Sequence, residues 1–224
     1  TITTVTASSV GSFTTTFTID TQPAGITTIA AIGVGSSLRS GNTFTIHANI
    51  ILITPLEGTV GSKVTVAGNG YGNMEEIAIT FGTYVGTIAT TTSDTIGSFT
   101  LIFTVDTQHS GITTIGARGV RTDEYDDGTF TIHARIIEVT LREGTVGSII
   151  TVAGNGYGAE EGIDITFGAY VGTIAITTTD ATGSFTVTFT IDTQHSGTTT
   201  ITAIGRGTTE KAEDTYIIHA NIIR

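Results

Sequence analysis

Along most of the chain, apolar and polar residues alternate one by one, the period that a half-buried strand presents. Val64 and Val66 fall on one side of their run, Thr65 and Ala67 on the other. Ile77, Ile79 and Phe81 alternate with Ala78 and Thr80. Phe99, Leu101, Phe103 and Val105 alternate with Thr100, Ile102 and Thr104. Ile115 and Ala117 form a further inward pair, and Phe130, Ile132, Ala134 and Ile136 face in against Thr131, His133 and Arg135. No stretch of useful length has the helical period. Turn chemistry separates the runs: Gly68-Asn69-Gly70, Asp94 to Gly97, His109-Ser110-Gly111 and Asp126-Asp127-Gly128. Strands are expected near 50–54, 63–68, 76–82, 85–92, 98–105, 112–118 and 129–136. About seven short strands in fewer than a hundred residues predict an all-β, antiparallel sandwich. Phe81, Phe99, Phe103, Ile115 and Phe130 are its expected core.

The pattern comes more than once. Glu57 to Gly72 returns as Glu143 to Gly158, a period of 86 residues (143 minus 57). Phe44-Thr45-Ile46-His47 returns at 130–133, with Tyr216-Ile217-Ile218-His219 as the third copy. Asp20-Thr21-Gln22 returns at 106–108 and 192–194. Such a repeat fixes the question of fold at the level of one unit. The division it predicts is a partial unit at 1–50, holding the second part only, and units at 51–136 and 137–224. The partial unit carries Phe13, Phe17, Ile19, Ile29, Phe44 and Ile46, core positions in the copies, without the strands equivalent to 53–82. The expectation is that polypeptide outside 1–224 completes it, in the same chain or from another copy. With Met74 as the only methionine and no signal or lipidation pattern, the sequence reads as processed or as a segment of something longer.

Composition narrows the function classes. A net charge of −11 lacks the basic footprint that nucleic acid demands and is repelled by an anionic membrane surface. No apolar run approaches the ~20 residues that span a bilayer, so membrane insertion is not expected. There is no cysteine, hence no disulfide framework. Threonine, roughly fifty residues, takes the place of the missing charge.

The opening Ile53-Thr54-Pro55 through Gly72, followed by Ile77 to Gly82, resembles the Ig-like repeats of prokaryotic surface proteins, the IPT/TIG type. The turn from Asp94 to Gly97 with Ser98-Phe99-Thr100 is similar to theirs as well. The resemblance covers both full units and the partial one. It implies tandem Ig-like sandwiches and an extracellular, cell-surface setting, and it brings no catalytic residues. The function it implies is a mechanically stiff, self-assembling structural segment of an extracellular prokaryotic filament, surface layer or stalk. The alternative is an adhesin or carbohydrate-binding module reading ligands with its terminal loops.

Between Phe130 and Val139 there is no Gly, Pro or Ser, so the linker is not a flexible coil and neighbouring units are expected in a fixed relation. At ~3.3 Å per residue each unit would add roughly 35–40 Å to a rod. The chemistry-bearing residues read as structural. His47, His133 and His219 recur at one outward position with no second ligand at metal spacing, which predicts a solvated or joint-lining role. His109 and His195 occupy a turn where the first copy has Pro23. Asp123, Glu124, Asp126 and Asp127 form an acidic loop, expected to be solvated because its copies differ. Asp20, Asp106 and Asp192 suit a strand-end turn, and Tyr71 and Tyr157 the end of a core. The G-x-G at Gly68 to Gly70 has no helix after it, so a phosphate cradle is not indicated. Lys63 becomes Ile149 in the copy, which leaves no repeated lysine for a pilin-like crosslink. Outward threonines at Thr14, Thr16, Thr18 and Thr186, Thr188, Thr190 suit strands and also offer acceptors for a covalent O-glycan. No catalytic residue, no cofactor site and no metal site is assigned, no enzyme activity is expected, and the expected partner is the chain itself.

Overall fold

Strands form wherever an alternating run finds a partner. The computed structural model describes residues 1–82, 86–168 and 172–220. Residues 1–48 contribute one hairpin, β1 (Gly25–Ile32) with β2 (Arg39–Ile46). Eight strands follow: β3 (Asn49–Thr54), β4 (Glu57–Thr59), β5 (Lys63–Asn69), β6 (Glu76–Phe81), β7 (Ala89–Thr92), β8 (Phe99–Thr104), β9 (Gly111–Gly119) and β10 (Tyr125–His133). A further eight repeat them: β11 (Arg135–Val139), β12 (Glu143–Thr145), β13 (Ile149–Asn155), β14 (Gly162–Phe167), β15 (Ala175–Thr178), β16 (Phe185–Thr190), β17 (Gly197–Gly205) and β18 (Lys211–His219). A five-stranded sheet, β4-β10-β9-β6-β7, packs on a three-stranded one, β3-β5-β8, and β12-β18-β17-β14-β15 with β11-β13-β16 gives the same sandwich again. The described chain is therefore all-β, a tandem array of Ig-like sandwiches on an 86-residue repeat.

Each sandwich closes over its own core. Phe81, Phe99, Phe103, Ile115 and Phe130 are all buried. The Phe81 ring lies 5.3 Å from Phe103 and 5.8 Å from Phe130. In the copy, Phe167 sits 5.7 Å from both Phe189 and Tyr216. Burying each such side chain is worth about 1.5–3 kcal/mol.

Three details depart from the alternation pattern. First, each unit has eight strands, because its opening run splits. β3 pairs with β5, but β4 crosses to the other sheet and pairs in parallel with β10, Glu57 opposite Thr131 and Thr59 opposite His133. Second, the run expected as one strand over 129–136 changes sheet at Ala134. β10 ends at His133, and β11 starts at Arg135 and pairs with β13 of the following sandwich. Ala134 and Ile136 accordingly pack in the following core, with Tyr157 and Phe185. Third, β7 starts at Ala89; residue 85, where that strand was expected to begin, lies outside the described residues, as does 221–224 at the end of the last unit.

Candidate functional site at the joint between repeats

Two joints lie within the described residues, and they are built alike. The linker amides come first. Ala48 N donates to Glu124 Oε2 at 3.0 Å, and His47 Nδ1 is 3.3 Å from the same oxygen. At the next joint Ala134 N donates to Glu210 Oε2 at 3.0 Å, with His133 Nδ1 3.4 Å from Oε1. A second contact joins a loop of one unit to the end of the next. Ala24 N donates to the Tyr71 carbonyl at 2.8 Å, and Ser110 N to that of Tyr157 at 2.9 Å. Backbone meets backbone at both places, so glycine is required opposite. Gly70 and Gly156 have φ +71°, and a Cβ on either would fall 2.3 or 2.6 Å from the carbonyl oxygen of His47 or His133. On Gly97 or Gly183, a Cβ would fall 3.0 Å from the Cα of Pro23 or His109. Only the backbone of 23 and 109 is used there, which explains why proline and histidine can exchange at that position.

The clamp carboxylates are held in place by a second pair of acids. Glu75 is 3% exposed. It accepts the amides of Gly72, Arg121 (3.2 Å) and Thr122 (3.0 Å) and the Thr122 hydroxyl (2.8 Å). Glu161 does the same with Gly158 (2.5 Å), Gly207 (2.8 Å), Thr208 N (2.9 Å) and Thr208 Oγ1 (2.8 Å). Each fixes the hairpin turn from which Glu124 or Glu210 reaches the linker. Burial alone would raise these carboxyls; the donated hydrogen bonds outweigh it and hold both below the ordinary glutamate range.

One further link crosses the second joint, and a contact within the preceding sandwich adjoins it. Arg135 Nη1 donates to the Val60 carbonyl at 3.0 Å. His133 Nε2 lies 3.3 Å from Glu57 Oε2, so both ring nitrogens face carboxylates. Burial lowers the His133 pKa, but the bonds and charges of Glu57 and Glu210 raise it above the ordinary imidazole value overall. The third histidine, His219, meets Glu143 at 3.1 Å through Nε2.

His47 and His133 thus line the two described joints, one of the two roles expected for these histidines. The acidic loop is a correction: Glu124 and Glu210 share one repeat position and bind linker amides, and Asp126 Oδ2 accepts Ile50 N at 2.6 Å. The loop is anchored, not merely solvated. Tyr71 and Tyr157 are fully buried, cap their cores against Phe99 and Phe185, and donate to the Ala117 and Ala203 carbonyls at 3.3 Å. Asp106 and Asp192 each accept from the glutamine two residues on, at 2.7 Å, and those glutamines also donate to the Phe81 and Phe167 carbonyls. Among the described residues no group of three or more His, Cys, Asp or Glu is placed to hold a metal ion. The Thr186, Thr188 and Thr190 face is exposed, with Thr188 Oγ1 3.0 Å from Thr151 Oγ1. Sequence reasoning missed Glu75 and Glu161 altogether, although both stand three residues after Gly72 and Gly158 in the two copies.

No protein-family model matches the sequence, and no curated protein does. Solved structures match at low similarity. A tetra-tandem repeat from the extending region of a large adhesion protein is 16% identical over 96% of this chain and 66% of its own, with a TM-score of 0.35. The Yersinia pseudotuberculosis adhesin InvE is 13% identical over 77% of this chain and 59% of its own, at 0.36. The D0-D1 domain of intimin is 12% identical over 75% of this chain and 98% of its own, at 0.30. Likeness at this level says nothing of what the present chain binds.

Proposed function

We propose that this chain is a structural segment of an extracellular prokaryotic filament, surface layer or stalk, non-enzymatic, in which units 1–50, 51–136 and 137–224 are links of a stiff rod. One observation carries the reading: both described joints use the same amide-to-glutamate and amide-to-tyrosine-carbonyl bonds, 86 residues apart. A repeated joint applies the same rotation and translation at each step, and the rod lengthens without bending freely. Each sandwich has its own core, so one can open under load while its neighbours hold. The partner is the same polypeptide, in a longer tandem chain or a homopolymer, and the outward threonines of β8 and β16 are acceptors for covalent glycan.

Small-angle scattering on the chain, with and without Glu124→Gln and Glu210→Gln, tests the rod. The expected result is a narrow distribution of end-to-end length that broadens in the double variant, where each bond loses its charge assistance at a cost of roughly 1 kcal/mol at the joint. A broad distribution for the unsubstituted chain would remove the reading. Tight glycan binding by the isolated chain would favour an adhesin instead, and intact mass of native material tests the glycan.

A further inference from the structure

Resting on the stiff-joint reading, we propose that the joint between the two complete sandwiches is a pH-controlled hinge, closed when His133 is protonated and loosened when it is neutral. The geometry argues it. A neutral imidazole has one N–H and one lone pair. His133 presents its two ring nitrogens to two carboxylates, Glu57 Oε2 at 3.3 Å and Glu210 Oε1 at 3.4 Å. In the neutral form, whichever tautomer is chosen, one carboxylate faces a lone pair. Only imidazolium donates to both, and both bonds are then charge-assisted.

The two carboxylates belong to different bodies. Glu57 is on β4 of the same sandwich as His133; Glu210 is on the β17–β18 turn of the next one. Imidazolium holds both at once through charge-assisted bonds, whereas a neutral ring reaches Glu210 of the next unit only as the Nδ1–H tautomer and without the charge. Arg135, two residues along at the start of β11, sends its guanidinium to the Val60 carbonyl and adds a pH-independent strut across the same joint. His47 meets Glu124 as His133 meets Glu210, and His219 meets Glu143 as His133 meets Glu57.

The raised His133 pKa agrees with this. A histidine whose folded pKa lies above its free value contributes fully below the free value, about 6.5, and loses the contribution as pH rises through the folded one. The hinge is closed in mildly acidic surroundings and loosens towards alkaline ones. His133 and Glu57 are substantially exposed, so solvent screens the effect. The loosened population is expected to rise roughly two- to five-fold, in keeping with an exposed ion pair.

The chain has no cysteine, so spin labels at Ile102→Cys and Ile176→Cys, exposed positions on β8 and β15, report on this joint alone. Inter-label distance distributions are recorded on the full chain near pH 5.5 and near pH 8.5, with and without His133→Gln. The expected result is a narrow distribution at the lower pH that broadens at the higher, and one of constant width in His133→Gln. A distribution narrow at both values overturns the hinge and leaves the stiff joint standing. One broad at both overturns the two together. Broadening that persists in His133→Gln assigns the effect to another group and overturns the proposal.

Discussion

Residues 13–18 and 99–104 carry the same alternation, Phe-Thr-Thr-Thr-Phe-Thr against Phe-Thr-Leu-Ile-Phe-Thr, yet only the second is a strand. Phe13 is 49% exposed and its copy Phe99 is 5% exposed; Phe44 is 40% exposed and Phe130 1%. The difference lies in what stands opposite. β8 runs antiparallel to β5, Val64 against Phe103 and Gly68 against Phe99, whereas among the described residues no strand pairs with residues 13–18. β1 and β2 still pair, because a hairpin brings its partner with it, as a strand reached across a sandwich does not. An amphipathic period is a capacity for strand, and the long-range partner turns it into one.

The largest expected effect follows directly. Phe99→Ala empties a core position against the Tyr71 ring, whose centroid lies 5.2 Å away, and should cost about 3–5 kcal/mol. Phe13→Ala, at the same place in the repeat, should cost less than about 0.5 kcal/mol. Urea unfolding read by hydrogen exchange in each segment checks the pair. Equal costs would mean that residues 13–18 are packed after all.

Gly97 and Gly11 sharpen the comparison at the level of backbone. Both have positive φ, +77° and +78°. A Cβ on Gly97 would come 2.2 Å from the Tyr71 carbonyl oxygen, while one on Gly11 meets nothing within 4 Å. Gly11→Ala should therefore cost only the left-handed conformation, about 1 kcal/mol. Gly97→Ala adds a clash with the joint and should cost about 2–4 kcal/mol. Similar costs in thermal melts of the two variants would show that the joint yields.

Glu75 extends the same contrast to pH. Its carboxylate ties Gly72 to the β9–β10 turn. The β1–β2 turn has the same internal bonds as the β9–β10 turn, Gly33 N to Leu38 O and Ser37 N to Gly33 O matching Gly119 N to Glu124 O and Asp123 N to Gly119 O; the Glu75 carboxylate is what the β9–β10 turn has in addition. Glu75→Gln should cost about 1–3 kcal/mol at neutral pH. Because the folded pKa is depressed, the contribution is present above the free value, about 4.3, and is lost as pH falls through the folded one. The variant should thus lose less stability on acidification than the parent. An acid limb of unchanged steepness would show that Glu75 titrates alike in both states.

How far each feature could be read from the sequence depended on how local its cause is. The inward positions of β5, β6 and β8 followed from alternation, since burial there is decided by which side of one strand a residue occupies. The sheet change at Ala134 carries no glycine or proline; it is set by two different partners, β9 before it and β13 after. Glu75 reads as an ordinary surface acid because, besides the nearby Gly72 amide, the groups it binds belong to Arg121 and Thr122, 46 and 47 residues away. Glu124 was visible in principle through Glu210, but Asp123 becomes Thr209 and Asp126 becomes Ala212, and the differing neighbours hid the one position that repeats.

The smallest effect belongs to the threonine face, and it separates partner from propensity most cleanly. Thr188 lies outward on β16 and its hydroxyl meets that of Thr151 on β13, the directly opposed residue of the register. A cross-strand pair of this kind is worth roughly 0.2–1 kcal/mol. Thr188→Ala should cost an amount in that range, with Thr151→Ala adding little more once the partner is gone. Thr16, at the same place in the repeat, is exposed in a segment that is not a strand. Thr16→Ala should leave stability unchanged within the error of a denaturant titration. If Thr16→Ala destabilised as much as Thr188→Ala, the intrinsic preference of threonine for extended backbone would account for both, and the opposed hydroxyl would contribute nothing. If the Thr188 and Thr151 costs simply added in the double variant, the same conclusion would hold for the sandwich alone. The expected outcome, a cost at 188 that vanishes when 151 is already alanine and is absent at 16, assigns the stabilisation to the pairing of strands.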